Sequence, residues 1–194
     1  MAQLPAPRRA LFLDRDGVIN VDHGYVHTPA QTTFKDGIFT LCKAAHANGY
    51  VVVVVTNQAG IARGKYSDAQ FIAYTQWMHG EFQRHGTPLL ATYYCPHHPD
   101  GQPGVYRIVC PCRKPAPGML LGAAEEFGLG LQDSLLIGDQ LTDMAAAKSA
   151  GVGNTILLGG DDSANEQLLR QDQSYGVCDL GEAMEVIRRN CGWI

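Results

Sequence analysis

Positive charge is scarce in this 194-residue chain: 15 Lys and Arg stand against 19 Asp and Glu, for a formal net charge of -4. A general nucleic-acid or anionic-membrane surface is therefore not expected. Any phosphate the protein binds must be held by a local cluster of Lys, Arg and backbone N–H groups. Long hydrophobic runs are also missing. The longest unbroken apolar stretch, Tyr50–Val55, is β-branched, falls far short of a membrane span and suits a buried strand. The N-terminal MAQLPAPRRA lacks the apolar core of a signal peptide. These absences point to a cytoplasmic protein, where thiols stay reduced. Cysteine is limited to six residues, which read as metal ligands or inert core positions before disulfides. No repeat, low-complexity block or linker divides the chain, so residues 1–194 are expected to form one domain, and a monomer.

What is present alternates between strand and helix patterns. Ala10–Leu13, Tyr50–Val55, Leu89–Tyr94, Ser134–Ile137, Thr155–Leu158 and Gly176–Cys178 read as strands. Asp36–Asn48, Ser67–His85, Gly118–Phe127, Thr142–Ala150 and Gly181–Arg189 read as helices. Ser67 and Gln70 form a capping-box pattern, and Phe71, Tyr74, Met78 and Phe82 recur at helical spacing. Gly151 closes its helix. Cys42 and Cys178 fall in apolar segments and are expected to be core residues. The alternation predicts an α/β fold: a Rossmann-like three-layer sandwich around a mostly parallel sheet. In such sheets ligands bind beyond the carboxyl ends of the strands.

Chemistry-bearing residues stand at those ends. The first strand runs into Asp14-Arg15-Asp16-Gly17, the second into Thr56-Asn57-Gln58, and a later one into Gly138-Asp139 with Asp143 a helical turn on. Arg113-Lys114 precedes the Gly118 helix. The combination fits phosphoryl transfer. A carboxylate, Asp14, attacks phosphorus and forms an aspartyl-phosphate. Mg²⁺ takes one or two carboxylates plus phosphate oxygens and water, and Asp14 with Asp139 supplies them. Lys114 neutralises the phosphate oxygens, and Thr56 with nearby N–H groups holds them. Asp16 protonates the leaving oxygen and later takes a proton from water. A Ca²⁺ loop is excluded, because Val18 and Ile19 stand where that motif needs an oxygen ligand and a glycine. Separately, Cys95-x-His97 and Cys110-x-Cys112 offer three sulfurs and an imidazole, a donor set suited to tetrahedral, structural Zn²⁺. On spacing alone His98 competes with His97.

Asp14–Asn20, Thr56–Gln58, Arg113–Pro115 and Gly138-Asp139 together resemble the four motifs of the haloacid dehalogenase superfamily. Val21–Val26, Gly60–Gly64, Cys95–Pro99 and Cys110–Pro115 are similar to the sugar-bisphosphatase members of its histidinol-phosphatase-like branch, with Val21–Val26 and Arg113 favouring the sugar reading. The resemblance spans roughly Ala10–Leu158. It implies a Mg²⁺-dependent phosphomonoesterase acting on a small phosphorylated sugar, a heptose bisphosphate of lipopolysaccharide-core metabolism, with histidinol phosphate as the alternative. In these terms Asp14 is the nucleophile, Asp16 the general acid/base, and Thr56 and Lys114 stabilise the phosphoryl group. Mg²⁺ is held by the Asp14 carboxylate, the Asp16 carbonyl and Asp139, and Zn²⁺ by Cys95, His97, Cys110 and Cys112. The substrate contacts implied are Asp22, His23, Gly24, Tyr25, Asn57, Gln58, Ala59, Arg113 and Gln140, the last standing where the family often has Lys. Gly159–Asp162 lacks an Arg-Thr-Gly that some relatives carry and receives no role. The intervals Asp16–Val51 and Gln58–Arg113 leave no room for the extra cap domain of many relatives. A silent metal-binding scaffold would be marked by loss of Asp14, Asp16 or Lys114, and all three are present.

Overall fold

Side chains along the first strand alternate between two buried faces, Ala10 and Phe12 entering one apolar cluster and Leu11 and Leu13 another. A strand covered on both faces in this way belongs in the middle layer of three. The computed structural model describes residues 7–159 and 174–193. Its strands are β1 (Arg9–Leu13), β2 (Tyr50–Asn57), β3 (Leu89–Cys95), β4 (Leu135–Gly138), β5 (Asn154–Leu158) and β6 (Ser174–Val177). They form a six-stranded sheet in the order β3-β2-β1-β4-β5-β6, and every pairing is parallel.

The helices are α1 (Ile38–Ala47), α2 (Ala59–Ala62), α3 (Asp68–Arg84), α4 (Gly118–Phe127), α5 (Leu141–Ala150) and α6 (Leu180–Cys191). Helices α1, α3 and α6 bury Leu41, Met78, Phe82 and Ile187 against Leu11, Leu13, Val52 and Val54. Helices α4 and α5 bury Leu120, Ala123 and Ala147 against Phe12, Val53 and Val55. The capping box at Ser67 is formed in both directions, and α5 ends on Gly151 in the left-handed region. No described helix is long and apolar enough to cross a membrane.

Three details differ from the sequence reading. Strand β2 continues through Thr56 and Asn57, because both pair with β3. The four-residue helix α2 comes directly after it, too short to leave a periodic signal. Strand β6 ends at Val177, so Cys178 is exposed rather than part of the core. There Asp179 caps α6 by accepting a hydrogen bond from the Glu182 amide, which turns the chain out of the sheet. Cys42 is buried as expected. The Gly160–Asp162 part of the stretch given no role lies outside the described residues.

The strand order sets where chemistry can gather. The chain proceeds one way from β1 to β2 and β3, and the other way through β4 to β6. The carboxyl ends of β1 and β4 therefore flank the switch point where α/β sheets bind ligands. Leu13 is paired with Ile137, so Asp14 and Asp139 leave the sheet side by side.

Candidate active site

Asp14 continues the line of β1, its amide donating to the Ile137 carbonyl at 3.0 Å. Lys114 arrives from a distant loop and is itself buried. Its Nζ donates to the Val55 carbonyl at 2.8 Å. It also lies 2.9 Å from Asp14 Oδ1 and 2.5 Å from Asp143 Oδ1. These are ion pairs by distance only: Asp14 Oδ1 and Asp143 Oδ1 accept no hydrogen bond of good geometry, and neither does the buried Asp139 Oδ1. Asp14, Asp139 and Asp143 each place a carboxylate oxygen within 4.8 Å of the others.

One lysine is thus shared among three clustered carboxylates. Burial, helped by the charges of Asp143 and Asp139 and opposed by Lys114, pushes the Asp14 carboxyl up to about 7. Burial also raises Asp139, with Asp143 adding to it. Burial alone would lower Lys114, but Asp14 and Asp143 outweigh it and hold the ammonium above its ordinary range. In an isolated ion pair the acid would be lowered. It rises here chiefly because burial disfavours the charged form, and the neighbouring carboxylates Asp143 and Asp139 add to that against the pull of Lys114. Three carboxylates, two buried and one half-buried, with a single lysine among them are costly unless a further cation satisfies them. A hard divalent ion that takes oxygen ligands answers this donor set, so the residues present fit Mg²⁺.

Two glycines make the cluster possible. A Cβ on Gly17 would meet Asp139 Oδ2 at 2.1 Å, and Gly17 has φ +87°; a Cβ on Gly138 would meet the Asp143 Cβ at 2.3 Å. Gly17→Ala is expected to lower the melting temperature by several degrees, since a left-handed residue and a displaced carboxylate together cost about 1–3 kcal/mol. It should also blunt stabilisation by MgCl₂. Melting curves with and without the salt check this; an unshifted melt with a full MgCl₂ response would contradict it.

Around this centre Asp16 accepts hydrogen bonds from Arg15, Asn20 and Gln58. Thr56 is buried and its Oγ1 accepts from Gln58 Nε2 at 2.7 Å, while Gln58 Oε1 accepts from the Tyr66 hydroxyl at 2.5 Å. Asn57 grips both peptide groups of Lys114: its Oδ1 accepts from the Lys114 amide and its Nδ2 donates to the Lys114 carbonyl, each at 3.1 Å. Gln140 is the N-cap of α5, and its amide donates to Asp143 Oδ2.

A cleft of about 380 Å³ opens over these groups. It is lined by Asp14, Asp16, Thr56, Lys114 and Asp139, and by Asp22, Gly24, Tyr25, Asn57, Gln58, Ala59, Arg113 and Gln140. His23 does not line it; its ring is exposed and faces Thr33 Oγ1 at 3.3 Å. Sequence reasoning gave no role to Asp143, Arg63 or Tyr66, which also line the cleft. Asp143 stands four residues after Asp139, one turn along α5, and that spacing is the signal for it. Arg63 donates to the Tyr25 hydroxyl at 2.8 Å across the cleft mouth, and nothing local in the sequence foretells that contact.

Beside Lys114 lies the cysteine group. Cys95, Cys110 and Cys112 are free thiols with Sγ–Sγ separations of 3.4, 3.0 and 3.3 Å. His97 Nδ1 lies 3.7 Å from Cys95 Sγ and 3.5 Å from Cys112 Sγ. Thiolates at about 2.3 Å and imidazole at about 2.0 Å around one ion would set S–S edges of about 3.8 Å, wider than these, and S–N edges of about 3.5 Å, close to those seen. The donors therefore form a cage of the right type for Zn²⁺, contracted among the sulfurs and at full span to His97. His98 stays outside it, facing Arg63 and the Asp100 amide. Arg113, directly after Cys112, donates to the His97 carbonyl at 3.3 Å.

The comparisons with known proteins agree with this geometry. The chain is 50% identical over 149 residues to D-glycero-beta-D-manno-heptose-1,7-bisphosphate 7-phosphatase of Vibrio cholerae, covering 77% of this chain and 80% of that protein. It is 51% identical over 150 residues to the D-glycero-alpha-D-manno-heptose-1,7-bisphosphate 7-phosphatase of Burkholderia mallei, covering 77% and 79%. The chain belongs to the heptose-1,7-bisphosphate 7-phosphatase family. This places it among the haloacid dehalogenase-type phosphatases, and a HAD-hydrolase-like family model matches residues 111–183. The crystal structure of the D,D-heptose 1,7-bisphosphate phosphatase from B. bronchiseptica, complexed with magnesium and phosphate, superposes with a TM-score of 0.76. That match is 29% identical and covers 93% of this chain and 98% of the other. The family's fold thus comes with the carboxylate cluster and the cysteine cage of this chain.

Proposed function

We propose that the protein hydrolyses the 7-phosphate of D-glycero-D-manno-heptose 1,7-bisphosphate, with Asp14 as the covalent nucleophile. The observation that carries this reading is the Asp14 carboxylate at the switch point, sharing one buried lysine with two further carboxylates. Uncatalysed phosphate-monoester hydrolysis is slow enough that catalysis can reach ~10²¹-fold. Positioning and charge must supply most of that, and the cluster offers both.

In the first half-reaction an Asp14 oxygen attacks phosphorus. The bond from phosphorus to the sugar oxygen breaks as the Asp16 proton passes to that oxygen. In the second half, water attacks the same phosphorus, Asp16 takes a proton from it, and the bond to Asp14 breaks to release phosphate. Lys114 offsets charge on the phosphoryl oxygens, and Thr56 holds them by its hydroxyl. Mg²⁺, held by Asp14, Asp139 and the Asp16 carbonyl, would offset the repulsion between carboxylate and phosphate. Asp143 keeps Lys114 charged and aimed. Cys95, His97, Cys110 and Cys112 would hold Zn²⁺, whose role would be structural, since four protein ligands would leave no open position.

The sugar lies along the loop from Asp22 to Tyr25 and the turn from Asn57 to Ala59, with Gln140 at the far wall. Arg113 takes the second phosphate through its planar fork. His23 contributes through the shape of its loop rather than by lining the cleft. A substrate panel with MgCl₂ tests this: both anomers of the heptose bisphosphate, fructose 1,6-bisphosphate and histidinol phosphate. A heptose bisphosphate should give the highest kcat/KM. Preference for histidinol phosphate would overturn the assignment.

A further inference from the structure

Arg15 heads the fully buried side chains by size among the described residues, and it is a cation. No step of the proposed hydrolysis uses it. Its Nε donates to Asp16 Oδ1 at 3.2 Å and its Nη2 to Asp16 Oδ2 at 2.6 Å, so the planar fork meets the carboxylate with two parallel bonds. Nη2 also donates to the Val26 carbonyl at 2.7 Å, tying the fork to the loop that walls the cleft. The guanidinium rests 5.1 Å from the Tyr74 ring centroid and 5.6 Å from that of Phe71, both on α3. Its Nη1 is buried without a hydrogen-bond partner.

Burying a guanidinium costs several kcal/mol unless pairing repays it. An apolar residue would pack between Phe71, Tyr74 and the sheet without that cost. What the cation adds is direction. A two-point contact fixes the plane of a carboxylate, which a single charge does not. Asp16 stands at the cleft with 22% of its side chain exposed, where an unheld carboxylate would rotate among several wells.

We propose that Arg15 is a positioning residue for Asp16, holding its carboxylate in the orientation from which it exchanges a proton with the reacting oxygens. The inference rests on the acid/base role proposed for Asp16. Asn20 Nδ2 supports the same oxygen as the Arg15 Nε, at 3.0 Å. The Gln58 contact to Asp16 Oδ2, at 3.2 Å, comes from a residue lining the cleft, and it is the one a substrate oxygen replaces.

Leaving-group dependence separates this role from a packing role. The ratio kcat/KM covers the steps up to phosphoryl transfer, where a sugar alkoxide needs a proton and p-nitrophenolate does not. In Arg15→Lys, which keeps the buried charge but loses the fork, kcat/KM for the heptose bisphosphate should fall by about 10²-fold, with p-nitrophenyl phosphate falling less than about threefold. Arg15→Met should show the same split. Equal losses on both esters, no loss on either, or collapse of the fold in both variants would assign Arg15 to packing and overturn the proposal. Asp16→Ala run alongside tests the underlying reading: if it loses no more on the sugar ester than on the aryl ester, the acid/base assignment fails rather than the role of Arg15.

Discussion

Replacing Asp14 by Asn should abolish turnover while raising the melting temperature of the magnesium-free protein. A carboxamide does not form the acyl-phosphate, and removal of a covalent nucleophile typically costs on the order of 10⁴–10⁶ in kcat. The stability change runs the other way for a reason visible in the cluster. Burial and two neighbouring carboxylates hold Asp14 up at about 7, above its unfolded value near 3.9. The native state thus binds this proton more tightly than the unfolded chain does. Stability from that proton is fully present below about pH 4 and is lost as the pH rises through about 7. Asparagine has no such loss, and Asp143 remains to pair Lys114. The variant should therefore melt above wild type at pH 8, by a margin that shrinks at pH 5. Stabilisation by added MgCl₂ should be weaker in the variant. Resin-treated buffer serves better than a soluble chelator, which would also strip zinc. A lower melting temperature at pH 8 would show that the Lys114–Asp14 pair outweighs the excess charge, and retained turnover would place the nucleophile elsewhere.

Loss of zinc should act first on the substrate's second phosphate. Cys112→Ser removes one donor of the cage, and the next two residues along the chain are Arg113 and Lys114. The two are not equally dependent on it. Lys114 is gripped by Asn57 at both peptide groups and anchored through Nζ to Val55. Arg113 is braced by the His97 carbonyl, which belongs to the cage itself. The expected result is a rise of about tenfold or more in KM for the heptose bisphosphate, about 1.4 kcal/mol of lost uniform binding. The kcat for p-nitrophenyl phosphate should change much less. The melting temperature should drop by several degrees, because a metal-free loop rich in Pro and Gly no longer orders itself. Metal content by atomic absorption, read beside both sets of kinetics, checks this. Unchanged melting and unchanged KM in zinc-free protein would refute it.

The sequence carried the sheet and its chemistry unevenly. Strong periodic signals located α3 and the buried run of β2. The rule that sites lie at strand ends names Asp14, Thr56 and Asp139 before any geometry, whereas Lys114 is picked out as part of a basic pair just before the Gly118 helix. Asp143 was visible as a residue but not as a partner, because its contact with Lys114 depends on how two connections meet over the switch point. Asn57 stands in the sequence as a substrate contact alone. Only the folded chain shows that its amide is engaged by Lys114 on both sides. Arg63 and Tyr25 meet across the cleft from separate loops, and no local pattern encodes that pairing. Cys178 lies outside the core although its stretch is apolar: such a stretch does not say where a strand stops, and the Asp179 cap decides it.

The switch point also bears on how the chain reaches its working state. Asp14 stands after the first strand, Lys114 past the third and Asp143 past the fourth, yet their charged atoms meet within ion-pair distance. No fragment holding only the early strands contains the centre, and contacts so distant in sequence form late and slowly. Regain of hydrolysis after dilution from denaturant should therefore lag behind regain of helical signal, which local segments such as the capped α3 supply early. Catalysis in this protein doubles as an assay of whether its two half-sheets have joined.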